Sequence, residues 1–152
     1  MKLLRKFWNL RKVDFYFLFV TFFLLGAIRL GLWLLEFRIL VKIVNKISQP
    51  NYSIPIPHFL FSTSSLRKII WGVNVATRYM PGGAKCLARA LTTQILMNRS
   101  GFSPELCIGV AKAKSGNLEA HAWIKYQGYV VIGHLPDLPR YVQLPSLEGI
   151  KL

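Results

Sequence analysis

The chain has 152 residues, enough for one domain of ordinary size with an appended segment. Its 20 Lys and Arg residues against 6 Asp and Glu residues give a formal net charge of +14 at pH 7, which favours an anionic partner such as acidic lipid or an acidic peptide. Nucleic acid is disfavoured, because no recognition helix, RNA-binding aromatic signature or zinc-ligand spacing accompanies the charge. Two cysteines are too few for a disulfide framework, and the three histidines do not cluster with them. The sequence therefore predicts reduced cysteines and no metal or cofactor.

Residues 1–48 form a basic, hydrophobic segment that is predicted to be helical. Residues 1–12 suit an amphipathic helix lying on anionic lipid. Residues 15–35 carry Arg29 as their single charge, a borderline pattern for a membrane span. An interfacial or protein-buried helix, a true span and a cleaved signal all remain open. We expect membrane association, peripheral or through a single N-terminal span, on the cytoplasmic side of the cell membrane.

The rest of the chain divides into a linker and a second predicted domain. Three prolines in residues 49–60 disfavour helix and predict an extended linker before a domain of residues 61–152. Apolar spacing predicts helices over residues 66–80 and 85–99, and alternation predicts a strand over residues 106–111. A hairpin is predicted about Gln127 and Gly128, followed by an extended, proline-containing tail.

The candidate chemistry lies at Cys86 and His121. Cys86 follows a Pro-Gly-Gly turn and begins a predicted helix, whose N-terminal dipole and the adjacent Lys85 favour a thiolate. His121 lies in a predicted strand, where it could present its imidazole to the start of that helix. Taken singly, each residue has a plainer interpretation: a small buried cysteine, and a histidine with a local hydrogen bond. The order of Cys on a helix followed by His on a strand suits a thiol nucleophile and its base.

The stretches Gly-Gly-Ala-Lys-Cys86-Leu-Ala-Arg-Ala-Leu, Leu-Cys-Ile-Gly-Val110, Ala-His121-Ala-Trp-Ile and Val-Val-Ile-Gly133 resemble the transglutaminase-like cysteine peptidases of lasso-peptide biosynthesis. This resemblance implies an α+β fold with a papain/transglutaminase-like core: a helix bearing Cys packed on a small antiparallel sheet bearing His, here preceded by the N-terminal hydrophobic helical segment. It also implies a catalytic triad of Cys86, His121 and an acid. Gly133 and His134 occupy the usual position of the acid, so Asp137, the one aspartate after His121, is the candidate.

The implied function is removal of the leader peptide from a ribosomally made lasso precursor. The resemblance implies three partners: the lasso precursor peptide, a separate leader-recognition protein and an ATP-dependent lasso cyclase. Two alternatives stay open. One is a transglutaminase-like acyl transferase with the same thiol chemistry, and the other is a non-catalytic membrane-associated adaptor with an incomplete triad.

Overall fold

The computed structural model describes residues 11–53, 57, 59–62, 64–83 and 85–145. The amphipathic helix predicted over residues 1–12 lies outside this part of the chain, apart from its last two residues. The described helices are α1 (Lys12–Leu34), α2 (Phe37–Ser48), the short α3 (Phe59–Ser62), α4 (Leu66–Tyr79) and α5 (Cys86–Arg99). The strands are β1 (Glu105–Lys112), β2 (Leu118–Tyr126), β3 (Tyr129–Ile132) and β4 (Val142–Gln143).

The helices begin and end where local chemistry favours it. Ser65 caps α4, because its hydroxyl accepts a hydrogen bond from the Lys68 amide at 3.3 Å. Asp14 lies in the first turn of α1, where a carboxylate interacts favourably with the helix dipole. By length and composition, α1 is the one described helix that could cross a membrane.

The four strands form an antiparallel sheet in the order β3-β2-β1-β4. β2 and β3 form the predicted hairpin, with positive φ at both Gln127 and Gly128, which suits a tight two-residue turn. The tail differs from the expected extended segment. It forms a 3-10 turn (Leu138–Arg140) and then β4, whose pairing with β1 continues in a 2.8 Å hydrogen bond from the Leu144 amide to the Ile108 carbonyl. This pairing needs a distant partner strand, which local sequence patterns do not reveal.

The hydrophobic core joins the N-terminal helices to the rest of the chain. Phe17 of α1 packs with Ile69 and Val73 of α4 and with Ile124 of β2. A second cluster joins residues of four helices: Leu25 and Ile28 of α1, Leu40 and Val44 of α2, Ala76 of α4, and Ala88, Leu91 and Ile95 of α5. Helix α5 lies at the centre, between the other helices and the sheet. The core thus extends across the linker predicted at residues 49–60, and the mixed helix and antiparallel-sheet architecture confirms the predicted fold class.

Candidate active site

Cys86 is the first residue of α5 and is half-buried with a free thiol. Lys85 before it is extended and makes no side-chain cap, so the first amides of the helix are not capped by that residue. Gly82 and Gly83 both adopt positive φ, which glycine tolerates, and they direct the chain into the helix. The sequence places a cysteine where a helix dipole favours negative charge, and the structure has it there.

Two arginines shape the surroundings of Cys86. Arg89 lies one turn further along α5, where it donates a 2.8 Å hydrogen bond from Nη2 to Asn74 Oδ1 of α4. Burial lowers the pKa of Arg89, and the nearby Cys86 opposes that shift. Arg29 of α1 donates hydrogen bonds to the carbonyls of Pro81 and Gly82, and thereby holds the turn that precedes the cysteine. The sequence analysis noted Arg29 only as the single charge of an apolar run, and it did not identify Arg89. The spacing of three residues between Cys86 and Arg89 on a predicted helix could have indicated that these two side chains are neighbours.

His121 lies in the middle of β2 and is half-buried. Its Nε2 is 2.7 Å from the carbonyl oxygen of Gly133. Because a carbonyl oxygen only accepts, Nε2 carries the proton, and Nδ1 is the acceptor in the neutral ring. The imidazole stacks on Trp123, with ring centroids 6.1 Å apart, and lies against Tyr141. A backbone carbonyl at Gly133 therefore orients the imidazole.

Cys86 and His121 share no hydrogen bond in the structure. Side chains alternate between the two faces of a strand, and Ala122 and Ile124 of β2 pack in the cluster that includes α5. His121 therefore lies on the opposite face, under the segment that crosses from β3 to β4. Both residues are described, and no hydrogen bond joins the Cys86 thiol to the imidazole.

Asp137 lies beside the 3-10 turn and pairs with Arg140. Its Oδ2 accepts hydrogen bonds from Arg140 Nε at 3.0 Å and Nη2 at 2.9 Å. Arg140 also contacts Glu119 Oε2 at 2.7 Å and the Lys112 carbonyl at 3.2 Å, so it ties the crossing segment to β1 and β2. Asp137 thus contributes to a surface ion-pair network, and within the described chain its carboxylate makes no hydrogen bond to His121. Its position beside the 3-10 turn also agrees with the turn chemistry of an aspartate next to proline.

Within the described ranges, no group of three His, Cys, Asp or Glu side chains could hold a metal ion. Arg89 is a charged neighbour of the Cys86 thiol. A thiol beside a cation and at a helix start is suited to nucleophilic chemistry.

The chain was compared with known proteins by sequence and by structure. Neither curated proteins nor solved structures give a match. The family model of the transglutaminase-like superfamily matches residues 31–146, a range that includes Cys86, His121 and Asp137. The superfamily includes cysteine peptidases and acyltransferases. Because the match covers most of the sequence, this chain belongs to the transglutaminase-like superfamily.

Proposed function

We propose that this protein is a cysteine endopeptidase that removes the leader peptide from a lasso-peptide precursor. The observation that carries the proposal is Cys86, the first residue of the central helix in a member of a superfamily that includes cysteine peptidases. The lasso precursor as substrate rests on the resemblance of the motifs around Cys86 and His121. We propose that the enzyme works on the cytoplasmic side of the membrane, with a separate leader-recognition protein and an ATP-dependent lasso cyclase.

In the proposed cycle, the Cys86 thiolate attacks the carbonyl carbon at the end of the leader, after its proton passes to His121. The carbon–nitrogen bond then breaks, and the leaving amine takes that proton from the imidazolium. Water then attacks the thioester carbon and gives a proton to His121, and the carbon–sulfur bond breaks. The leader leaves as a carboxylic acid that ionises in solution, and the Cys86 thiolate and the His121 imidazolium remain. The first amides of α5 are suited to stabilise the oxyanion. The cycle requires His121 Nδ1 to lie within hydrogen-bond distance of the Cys86 thiol when substrate is bound.

Substitution of Cys86 tests the proposal. We expect Cys86→Ala to abolish cleavage of a precursor peptide presented with its leader-recognition protein, a loss of at least about 1,000-fold. Mass spectrometry of the products and circular dichroism of the variant measure cleavage and folding. Cys107→Ala is the matched control, because Cys107 is buried on β1 and should be dispensable. Cleavage retained by Cys86→Ala would eliminate the thiol mechanism.

Asp137 and His121 are tested in the same assay. His121→Ala should abolish cleavage. Asp137→Asn tests whether the Asp137 carboxylate or another group orients the imidazole. Loss of activity in Asp137→Asn, with folding intact, would assign Asp137 the orienting role that the resemblance implies. Retained activity would leave that role to the Gly133 carbonyl, which contacts the imidazole in the structure.

Addition of a primary amine to the same assay tests the acyl transferase alternative. A transferase would give an amide of the leader in place of the free leader acid.

A non-catalytic adaptor is the second candidate, and it is favoured by the lack of a hydrogen bond between the Cys86 thiol and the His121 imidazole, both of which are described. An adaptor would bind the precursor without cleaving it and would not depend on the thiol. Labelling with iodoacetamide in the folded protein discriminates: selective modification of Cys86 supports the peptidase, and unselective or absent labelling supports the adaptor.

A further inference from the structure

Helix α1 carries an exposed apolar stripe along its whole length. The outer stripe consists of Phe15, Phe19, Phe23, Leu30, Trp33 and Leu34, each at least 55% exposed. Their spacing of three, four and seven residues places them on one side of the helix. Such a continuous apolar surface on a protein exterior indicates an interaction site.

The opposite side of α1 packs in the protein core. Phe17 and Leu25 are fully buried against α4 and α5, and the Phe17 ring fits against Gly72, where a Cβ would lie 2.8 Å from the ring. Asp14 forms a 2.8 Å ion pair with Lys68 of α4. If α1 crossed a bilayer in this arrangement, it would take α4 into the hydrocarbon with it. Helix α4 carries Arg67, Lys68, Asn74 and Arg78, whose charged and polar side chains are costly there.

The exposed charges of α1 and α2 favour an anionic partner. Exposed cations lie at the start of α1 and along α2: Arg11, Lys12, Arg38, Lys42 and Lys46. The acids are Asp14, which is ion-paired with Lys68, and Glu36. An apolar helix face rich in Phe and Trp, accompanied by Lys and Arg, is typical of helices that lie in the interface of an anionic bilayer. Trp33 at the end of the helix also suits the headgroup level.

We propose that α1 lies in the plane of an anionic membrane surface, with the outer stripe at the boundary between headgroups and acyl chains, and does not span the bilayer. The same surface borders a cavity beside the start of α5. Leu30 and Trp33 of the stripe line this cavity of about 500 Å³, whose other wall includes Lys85, the residue before Cys86. The proposed orientation places this cavity next to the lipid surface. The inference does not depend on the peptidase activity, since lipid binding and cleavage are measured separately.

Flotation of the full chain with vesicles tests the proposal. The protein should float with vesicles of phosphatidylcholine and phosphatidylglycerol in equal amounts, and much less with phosphatidylcholine alone. The double variant Phe19→Ser/Phe23→Ser should lower partitioning by ~10-fold or more, because two half-exposed rings lose their burial in lipid. Leu118→Ser is the matched control: Leu118 is an exposed apolar residue of β2, far from the stripe in sequence, and partitioning should not change.

A second variant and an extraction complete the test. Lys42→Gln/Lys46→Gln should weaken binding to the anionic vesicles about fivefold per charge removed, and the effect should shrink at high salt. Alkaline carbonate should release the protein from membranes, as expected for an in-plane helix. Resistance to carbonate would show a spanning helix and overturn the proposal. Failure to bind either vesicle, or binding that the double Phe variant leaves unchanged, would assign the stripe to a protein partner.

Discussion

At the scale of single residues, the two cysteines lie in different surroundings. Cys86 is half-buried at a helix start, whereas Cys107 is 1% exposed within β1. Burial and the neighbouring Glu105 carboxylate, 3.7 Å from the sulfur, raise the pKa of the Cys107 thiol from 9.0 to about 11. Below about pH 11, Cys107 therefore stays a neutral thiol in the folded protein.

This shift predicts a pH dependence of stability. Between pH 9 and about 11, the unfolded chain loses the Cys107 proton while the folded chain keeps it, so the free energy of unfolding falls as pH rises. Below pH 9 the contribution of Cys107 is constant. Denaturant unfolding of the wild type and of Cys107→Ala across this range measures the effect, because other titrating groups are common to both proteins. Equal slopes in the two proteins would show that Cys107 does not titrate as described.

The sequence predicted the helix start at Cys86 and the strand at His121. It did not predict which atoms the candidate side chains contact. Cys86 at a helix start and His121 in a strand follow from turn and alternation patterns. The carbonyl of Gly133 could not have been found in this way, because a backbone acceptor leaves no side-chain signature. The partner of Asp137 likewise depends on how the tail crosses the sheet, which local patterns do not determine.

At the scale of elements, the contact between α1 and α4 is unusually close. Gly72 allows it, because a Cβ there would lie 2.8 Å and 3.3 Å from two atoms of the Phe17 ring. The ring is fully buried and has little room to move. The close packing of α1 on α4 therefore depends on glycine at position 72.

Gly72→Ala should destabilise the protein by about 1–3 kcal/mol, because the added methyl group displaces Phe17 from a packed core. Gly26→Ala in α1 is the matched control. Its Cβ would meet only the flexible end of Met80 at 3.9 Å, so the gain in helix propensity should leave stability unchanged or raised by up to about 1 kcal/mol. Urea unfolding followed by circular dichroism measures both variants. Equal effects of the two substitutions would mean that α1 does not pack on α4 as described.

The sequence also predicted where two of the helices begin. The helices at Leu66–Tyr79 and Cys86–Arg99 begin within a residue of their expected starts, since serine and glycine mark their boundaries. The apolar run around Arg29 was ambiguous for a physical reason. A helix buried on one side and apolar on the other has little periodicity, so its pattern does not distinguish a span from an interfacial helix.

At the scale of the whole molecule, the N-terminal helices are part of the folding unit. Phe17, Leu25 and Ile28 of α1 fill both core clusters, and Arg99 of α5 donates hydrogen bonds to the carbonyls of Ile47, Gln49 and Tyr52. The sequence predicted an extended linker at residues 49–60, because of its prolines, before a domain of residues 61–152. Arg99 binds the beginning of that stretch, at the carbonyls of Gln49 and Tyr52.

A truncated chain of residues 49–152 should therefore fail to fold. Removal of α1 and α2 would expose Ile69, Val73 and Leu91, which are fully buried in the intact protein. We expect loss of a cooperative thermal transition and binding of a hydrophobic dye, in contrast to the full chain. The full-length Phe19→Ser/Phe23→Ser protein is the control, since it loses apolar surface from the outer side of α1 and should fold normally. A cooperative transition in the truncated chain would show that residues 49–152 form an independent domain.

The two hydrogen bonds of Arg29 join the C-terminal half of α1 to the turn at Pro81 and Gly82. These partners are 52 and 53 residues from Arg29 in the sequence. The turn cannot shift against the helix without breaking both of them. Arg29 therefore couples α1 to the turn that precedes Cys86. A displacement of α1 would be transmitted through the charge that interrupts its apolar sequence to the start of α5.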